Sequence, residues 1–511
     1  MGGVTTLCQG SLAGNLSATM TSPPEGVRPD PRLRMLSLLL AVASLTHMVS
    51  FPWWLGLVSG QALLAATLLL LFFPQVPAVL FGFLAASLVY WFGRLPAVPN
   101  HILFEMLVHL TLVATLLTAA ASVAWRSRRR SVDGAAPLPT VASLTFEQAR
   151  PLIIVELVVM YLYTVIHKLN DDFLNPAVSC AVSMHHELAA VVPGVPDGEW
   201  TWWPTILGTL AIELAIPLLF LSRRTRTAGL LLGLVFHHFL ALHPHGGIYS
   251  FSGLLFALYA LLLPDDVLRK IGDRWLAVPL GARVVAMLAV VGGFAATVFL
   301  QLSAYRGGGG FMAANAIGYY AWLPLALLIA SVYAVALLSA RSQSDAADAT
   351  SAGKQAAARV ARPWWPLWVF PVLVLVNGAC PYLDLKTTTA FSMFSNLRTE
   401  DGHNNHLFLP RLPLFGYQDD LVEVVQANDP RLAGLARSGD LLPWFEFRRI
   451  ASTTRPNTVI RCRRNGDELR LSRDDDSAVS REAFTPHPWW MAKLLVFRPI
   501  RPFGEPMTCR H

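Results

Sequence analysis

Charge is scarce in this chain of 511 residues: Asp, Glu, Lys and Arg make up only 14% of it, against 54% hydrophobic residues. Soluble proteins carry about 25% charge, so the deficit excludes a soluble enzyme, a disordered chain and a collagen-like protein. Cysteines number only five, and none has CxxC or zinc-ligand spacing. Internal repeats are missing, which disfavours an inverted-repeat transporter. The first 33 residues contain no short apolar core with a small-residue cleavage site. They read as a disordered cytoplasmic tail rather than a removed signal peptide.

What is present is apolar sequence in runs long enough to cross a bilayer. They span about 35–50, 53–73, 76–93, 101–125, 150–168, 204–221, 228–243, 250–263, 278–302, 318–340 and 364–381. The net charge of +7 does not indicate a nucleic-acid footprint, because the basic residues cluster at the ends of these runs. Arg28, Arg32 and Arg34 precede the first run; Arg126 and Arg128–Arg130 follow the fourth; Arg223, Arg224 and Arg226 follow the sixth. Further clusters lie at Arg269–Arg274 and in the Ala/Ser-rich stretch 341–362. All fall on one side if the N-terminus is inside. The expectation is an all-α polytopic bundle of about 9–11 crossings in a bacterial plasma membrane, surrounded by the lipid bilayer. Residues 34–383 would form this bundle. Residues 384–511 would form a mostly β extracytoplasmic domain, because turn residues separate short alternating segments such as Thr458–Arg463 and Glu468–Leu471.

Cys8 is then inside, and Cys180, Cys380, Cys462 and Cys509 are outside. An even number in an oxidising compartment fits two disulfides with three pairings open. Cys462 with Cys509 would staple the C-terminal domain and leave Cys180 with Cys380; four unpaired thiols is an equal alternative.

Ionisable groups at membrane depth cost about 2.5–3.5 kcal/mol to insert and are functional candidates for that reason. Glu105, Glu156, Lys168 and Glu213 are of this kind, with His47, His101, His109, His167, His237 and His238. Lys168 ends the apolar run Tyr161–Lys168, where aromatic and aliphatic neighbours would desolvate its ammonium. A neutral amine in a dry pocket is a usable general base; the bland alternative is a lysine whose head snorkels into water. His101 opens the fourth run and either faces headgroups or hydrogen-bonds a reacting group. Phe236-His237-His238, with His243 and His245, invites a metal reading. Its spacing puts neighbours on different helix faces, so no metal is expected. Glu213 needs a partner or a proton and reads as a structural hydrogen bond. His185-His186-Glu187 reads as a solvated patch.

Several of these residues occur in a recognisable order. Asn100-His101 is followed by Tyr161-x-Tyr-x-x-x-His-Lys-Leu-Asn-x-Asp-Phe173, then by Glu213, Pro217 and Arg223-Arg-Thr-Arg226, then by Phe236-His237 and Ile248-Tyr-Ser-Phe251. This order resembles the HTTM (horizontally transferred transmembrane) domain, typified by vitamin K-dependent gamma-glutamyl carboxylases. The likeness covers roughly 35–400, including Phe391-Ser-Met-Phe394. Residues 407–511 have no counterpart in it, position 99 is Pro, position 167 is His and position 173 is Phe. The resemblance implies a lyase that couples oxygenation of a reduced quinone (vitamin K hydroquinone or menaquinol) by O2 to CO2 addition at glutamyl residues. It assigns the base to Lys168 and an assisting role to His101, and groups Asn100, Tyr161, Phe236 and His237 about the quinone. A protein substrate or partner is expected on the extracytoplasmic side. The competing readings are a non-enzymatic HTTM protein whose outer C-terminal domain binds a partner, and a carrier using Glu105, Glu156 and Glu213 as proton sites.

Overall fold

A computed structural model describes residues 30–129, 139–243, 247–308, 310–344 and 363–509. The stretch expected to be a tail lies outside them up to residue 29, as do Cys8, His245 and most of the basic stretch 341–362. Pro31–Leu33 already belong to the first helix.

Helix α1 (Pro31–Ser50) starts where Asp30 caps it, accepting from Arg32 N at 2.8 Å, with proline at the first helical position. Its sequence is apolar on every side, and it is buried along nearly its whole length, as expected of a helix at the centre of a bundle. Around it run α2 (Val58–Phe72), α3 (Pro77–Arg94), α4 (Asn100–Arg128) and α5 (Val141–Ile166). Short helices α6 (Asp171–Leu174) and α7 (Cys180–Ala189) lead to α8 (Glu199–Leu221), α9 (Arg226–Leu240) and α10 (Ile248–Leu258). Helix α11 (Asp265–Ala277) turns by 113° from the α10 segment. It is strongly amphipathic, burying Val267, Leu268 and Ile271, as suits a helix lying along the bundle's end. Helices α12 (Leu280–Arg306), α13 (Gly310–Ser344) and α14 (Val369–Ala379) complete this part.

Seven described helices are long and apolar enough to cross a membrane, or eight if the bent pair is one span. The chain therefore reads as an integral membrane protein. The expected 9–11 crossings are reached only if some of the shorter apolar helices α2, α9 and Trp365–Ala379 cross as well.

One end of the bundle is tied by charge. Arg32 pairs with Asp30 at 2.7 Å and Asp265 at 3.0 Å, and also with Glu147, while Arg150 pairs with Asp265. These bonds join the starts of α1, α5 and α11. The other end of α5 meets the C-terminal region: His406 Nε2 lies 2.9 Å from Ile166 O, and Leu407 N donates to Leu169 O at 2.9 Å.

The C-terminal region is mixed rather than mostly β. A four-stranded antiparallel sheet, order β2-β1-β3-β4, is built from β1 (Leu421–Ala427), β2 (Leu441–Pro443), β3 (Val459–Arg464) and β4 (Asp467–Ser472). The alternating segments 458–463 and 468–471 do form β3 and β4. Four short helices, α15 (Pro430–Ser438), α16 (Trp444–Ala451), α17 (Ala478–Phe484) and α18 (Trp489–Leu494), separate or follow the strands. Two of them cap with Asp429 and Ser477 side chains. Alternation puts Val422, Val424, Ile460 and Cys462 on the inner face against Trp444, Phe447 and Phe484.

The disulfide expectation is corrected. Cys180 is bonded to Cys509, while Cys380 and Cys462 are buried thiols. The strand period explains Cys462: it points into the sheet core opposite Val424 and Leu469, away from Cys509. Burial there pushes its thiol up to about 11. Cys380 is turned back to its own helix, donating to Val376 O.

Candidate functional site

A cavity of about 430 Å³ lies between α5, α7, α8, α9 and α10, closed at the domain-facing end by Met393 and Phe394. Its wall is mostly aliphatic and aromatic. The polar exceptions converge from three helices. Lys168 leaves the turn after α5, and its amine donates to Glu213 Oε2 at 2.7 Å and to Thr164 O at 3.1 Å. Lys168 is only 4% exposed, so it is not a snorkelling lysine. Glu213, read from the sequence as a structural hydrogen bond, is its partner. Two opposite charges among apolar runs are each far costlier alone than together.

Beside this pair, Tyr161 Oη is hydrogen-bonded to His237 Nε2 and to Tyr259 Oη. Tyr259 had not been singled out. Gly233 admits it, because a Cβ there would lie 2.6 Å from the Tyr259 hydroxyl. Ser252 Oγ donates to His237 O at 2.9 Å and fixes the end of α9 against α10. Lys168, Tyr161, Phe236 and His237 thus share one cavity.

His101 and Asn100 do not line it. His101 Nε2 is 3.1 Å from Ser250 Oγ, which also meets His47 Nδ1 at 2.5 Å. His47 Nε2 faces Glu105 at 3.2 Å, and Glu105 faces His109 at 3.6 Å. His101 and Glu105 of α4 thus meet Ser250 of α10 and His47 of α1, which puts the imidazole in this buried polar chain. Phe251 stands between, its ring 5.7 Å from His101 and 5.3 Å from His237. Asn100 Oδ1 instead accepts from Phe391 N at 2.7 Å, positioning the segment that closes the cavity.

That closing segment is strained. Asp384, Thr389, Phe391, Phe394, Asn396 and Asp401 all have positive φ without being glycine, a conformation of order 1–3 kcal/mol per residue. Side-chain amides hold it. Asn170 Nδ2 donates to Ser395 O at 2.6 Å, and Asn396 Oδ1 accepts from Cys180 N at 2.9 Å. Asn396 Nδ2 donates to Val178 O and Met507 O. The Cys180–Cys509 bond fastens the same place. Lys386 is buried within this segment, with Thr389 Oγ1 at 3.3 Å, and burial lowers its amine to about 8. Burial likewise raises the carboxyl of Glu400.

No group of three metal-ligating side chains occurs among the described residues. His237 and His243 both line the cavity, with His243 Nε2 3.2 Å from Met184 O and 3.6 Å from Glu187 Oε2. His186 of the outer patch pairs with Asp197 at 2.5 Å. No protein-family model, curated protein or solved structure matches the chain.

Proposed function

We propose that this chain is a membrane enzyme of the HTTM type, coupling oxygenation of a reduced quinone to CO2 addition at glutamyl side chains. The observation that carries the reading is the Lys168–Glu213 pair on the wall of an otherwise apolar cavity, with Tyr161, Phe236 and His237 around it. The lining fits a flat lipophilic diphenol. Aromatic and aliphatic walls take the rings, the amine–carboxylate pair and the Tyr161–His237 couple can meet hydroxyls, and about 430 Å³ falls within the usual range for small-molecule sites.

When bound and oxygenated, such a quinol supplies a base strong enough to deprotonate a glutamyl γ-carbon. The chain's own tasks are then limited. Lys168 takes a phenolic proton, and the Glu213 carboxylate 2.7 Å away steadies the ammonium that results. Tyr161, polarised by His237, holds the second oxygen. Phe236, Phe251 and Phe394 exclude water. His101 acts through Ser250 and Phe251 and is a positioning residue.

The test adds reduced menaquinol and labelled bicarbonate to membranes bearing the protein and follows quinol loss and carbon incorporation. Lys168→Ala abolishes both while the protein still inserts. His101→Ala lowers both without abolishing them, and His101→Gln, able to bond Ser250, restores them. Undiminished turnover by Lys168→Ala eliminates the reading.

A second reading, a non-enzymatic membrane protein whose C-terminal domain binds a partner, rests on Phe408, Leu412, Leu414 and Phe415, all more than half exposed. It predicts function that survives loss of Lys168.

A further inference from the structure

A second cavity, larger at about 720 Å³, lies on the other side of α10, among α1, α11, α12 and α13. The helix separates the two: Tyr249 faces this cavity, and Ile248 and Phe251 face the first. Its wall is almost wholly hydrocarbon, with Leu38, Val42, Met287, Phe294 and Leu325 typical of it. On α1 it reaches from Leu38 to Val49, eleven residues or about 16 Å of helix. That is close to half of the roughly 30 Å hydrocarbon core, the depth of one leaflet.

One end of the slot is not apolar. Arg34 lies one helical turn before Leu38, and Arg283 one turn before Met287. Both are at the end of the bundle opposite the C-terminal region, where α1 and α12 begin. Arg34 is 7% exposed, yet its Nε and Nη1 have no hydrogen-bond partner among the described residues, and neither has Arg283 Nε. The two guanidiniums lie within electrostatic reach of one another, with Asp273 the nearby acidic group acting on Arg34. Burying like charges with unmade hydrogen bonds is costly. A phosphate removes both penalties, since each guanidinium can offer it parallel N–H donors. A leaflet-deep apolar slot with two arginines one helical turn beyond its lining matches one kind of molecule.

We propose that this slot holds a hydrocarbon chain of an anionic glycerophospholipid whose phosphate sits on the Arg34–Arg283 pair. The site is separate from the Lys168 cavity and does not depend on what that cavity does. Arginine pockets between membrane helices are suited to such headgroups, and the bilayer supplies the ligand at high concentration.

The test uses the full chain, delipidated in mild detergent and offered phosphatidylglycerol or phosphatidylcholine of identical acyl chains, with retained lipid counted by native mass spectrometry. The native protein retains phosphatidylglycerol about 10-fold better. Arg34→Gln with Arg283→Gln brings the two lipids to parity. Arg283→Gln alone, at a half-buried position, lowers the preference at least threefold. Gly293→Phe fills the slot, because a Cβ at Gly293 meets nothing within 4 Å, and it lowers retention of both lipids. Soluble glycerol phosphate does not displace the lipid. Equal retention by the native protein, a preference untouched by Arg283→Gln, or displacement by glycerol phosphate each overturns the proposal.

Discussion

Removing Lys168 leaves Glu213 as a carboxylate only 13% exposed, bonded to nothing of opposite charge in an apolar wall. Breaking a buried pair from one side costs about 3–5 kcal/mol, whereas replacing both members with apolar residues of like volume is near neutral. Lys168→Met and Glu213→Met should therefore each destabilise by about 3–5 kcal/mol, and the double variant by less than either. The coupling from this cycle should be at least about 2 kcal/mol, well above the few tenths expected of independent sites. Reversible unfolding in mixed micelles measures all four proteins. If the double variant loses the sum of the two single losses, the charges do not sense one another. The charge pairing proposed for catalysis then goes with them.

Other outcomes follow from the same physics. Lys386, held at about 8 when folded and 10.5 when unfolded, makes the unfolded chain the better proton binder between those values. Stability should therefore rise with pH from about 8 to 10.5, by about 3 kcal/mol relative to Lys386→Met; a flat difference between the two proteins refutes this. Cys180→Ser should cost about 2–5 kcal/mol, and reductant should lower the melting temperature of the native protein but not of Cys180→Ser. With Cys8 replaced by Ser, alkylation of non-reduced protein should label Cys380 and Cys462 only after unfolding. Gly378→Ala places a Cβ 2.1 Å from the Tyr163 ring and should destabilise by about 1–3 kcal/mol, whereas Gly293→Ala, which meets nothing, should be neutral.

Hydrophobic runs made the helical bundle legible, and short alternations located β3 and β4, because both signals are local. The C-terminal helices were less so. Trp444–Ala451 and Ala478–Phe484 are two turns or fewer, too short for a 3.6-residue period to stand out from turns. The disulfide was misread because pairing depends on which face of β3 carries Cys462, a matter of register. At the cavity, Lys168, Tyr161, Phe236 and His237 come together. His101 does not, since helix rotation and tilt are set by packing that no spacing encodes. Glu213 was visible as a charge needing compensation, but its partner 45 residues away was not. The closing segment around Phe391 gave no signal beyond its aromatics, because nothing in residue type alone marks Phe or Thr as left-handed.

The arrangement around Asn396 bears on synthesis. Helices α5, α8 and α9 of the cavity wall are complete before residue 250 is made, but the segment bearing Met393 and Phe394 is clamped at Asn396 by Met507 and, through Cys180, by Cys509. That part of the wall is thus fixed only once a residue 111 positions beyond Asn396 is in place. Until then the segment bearing Met393 and Phe394 lacks its clamp, so the bond that joins Cys180 to a residue 329 positions downstream also decides when that wall of the cavity is set.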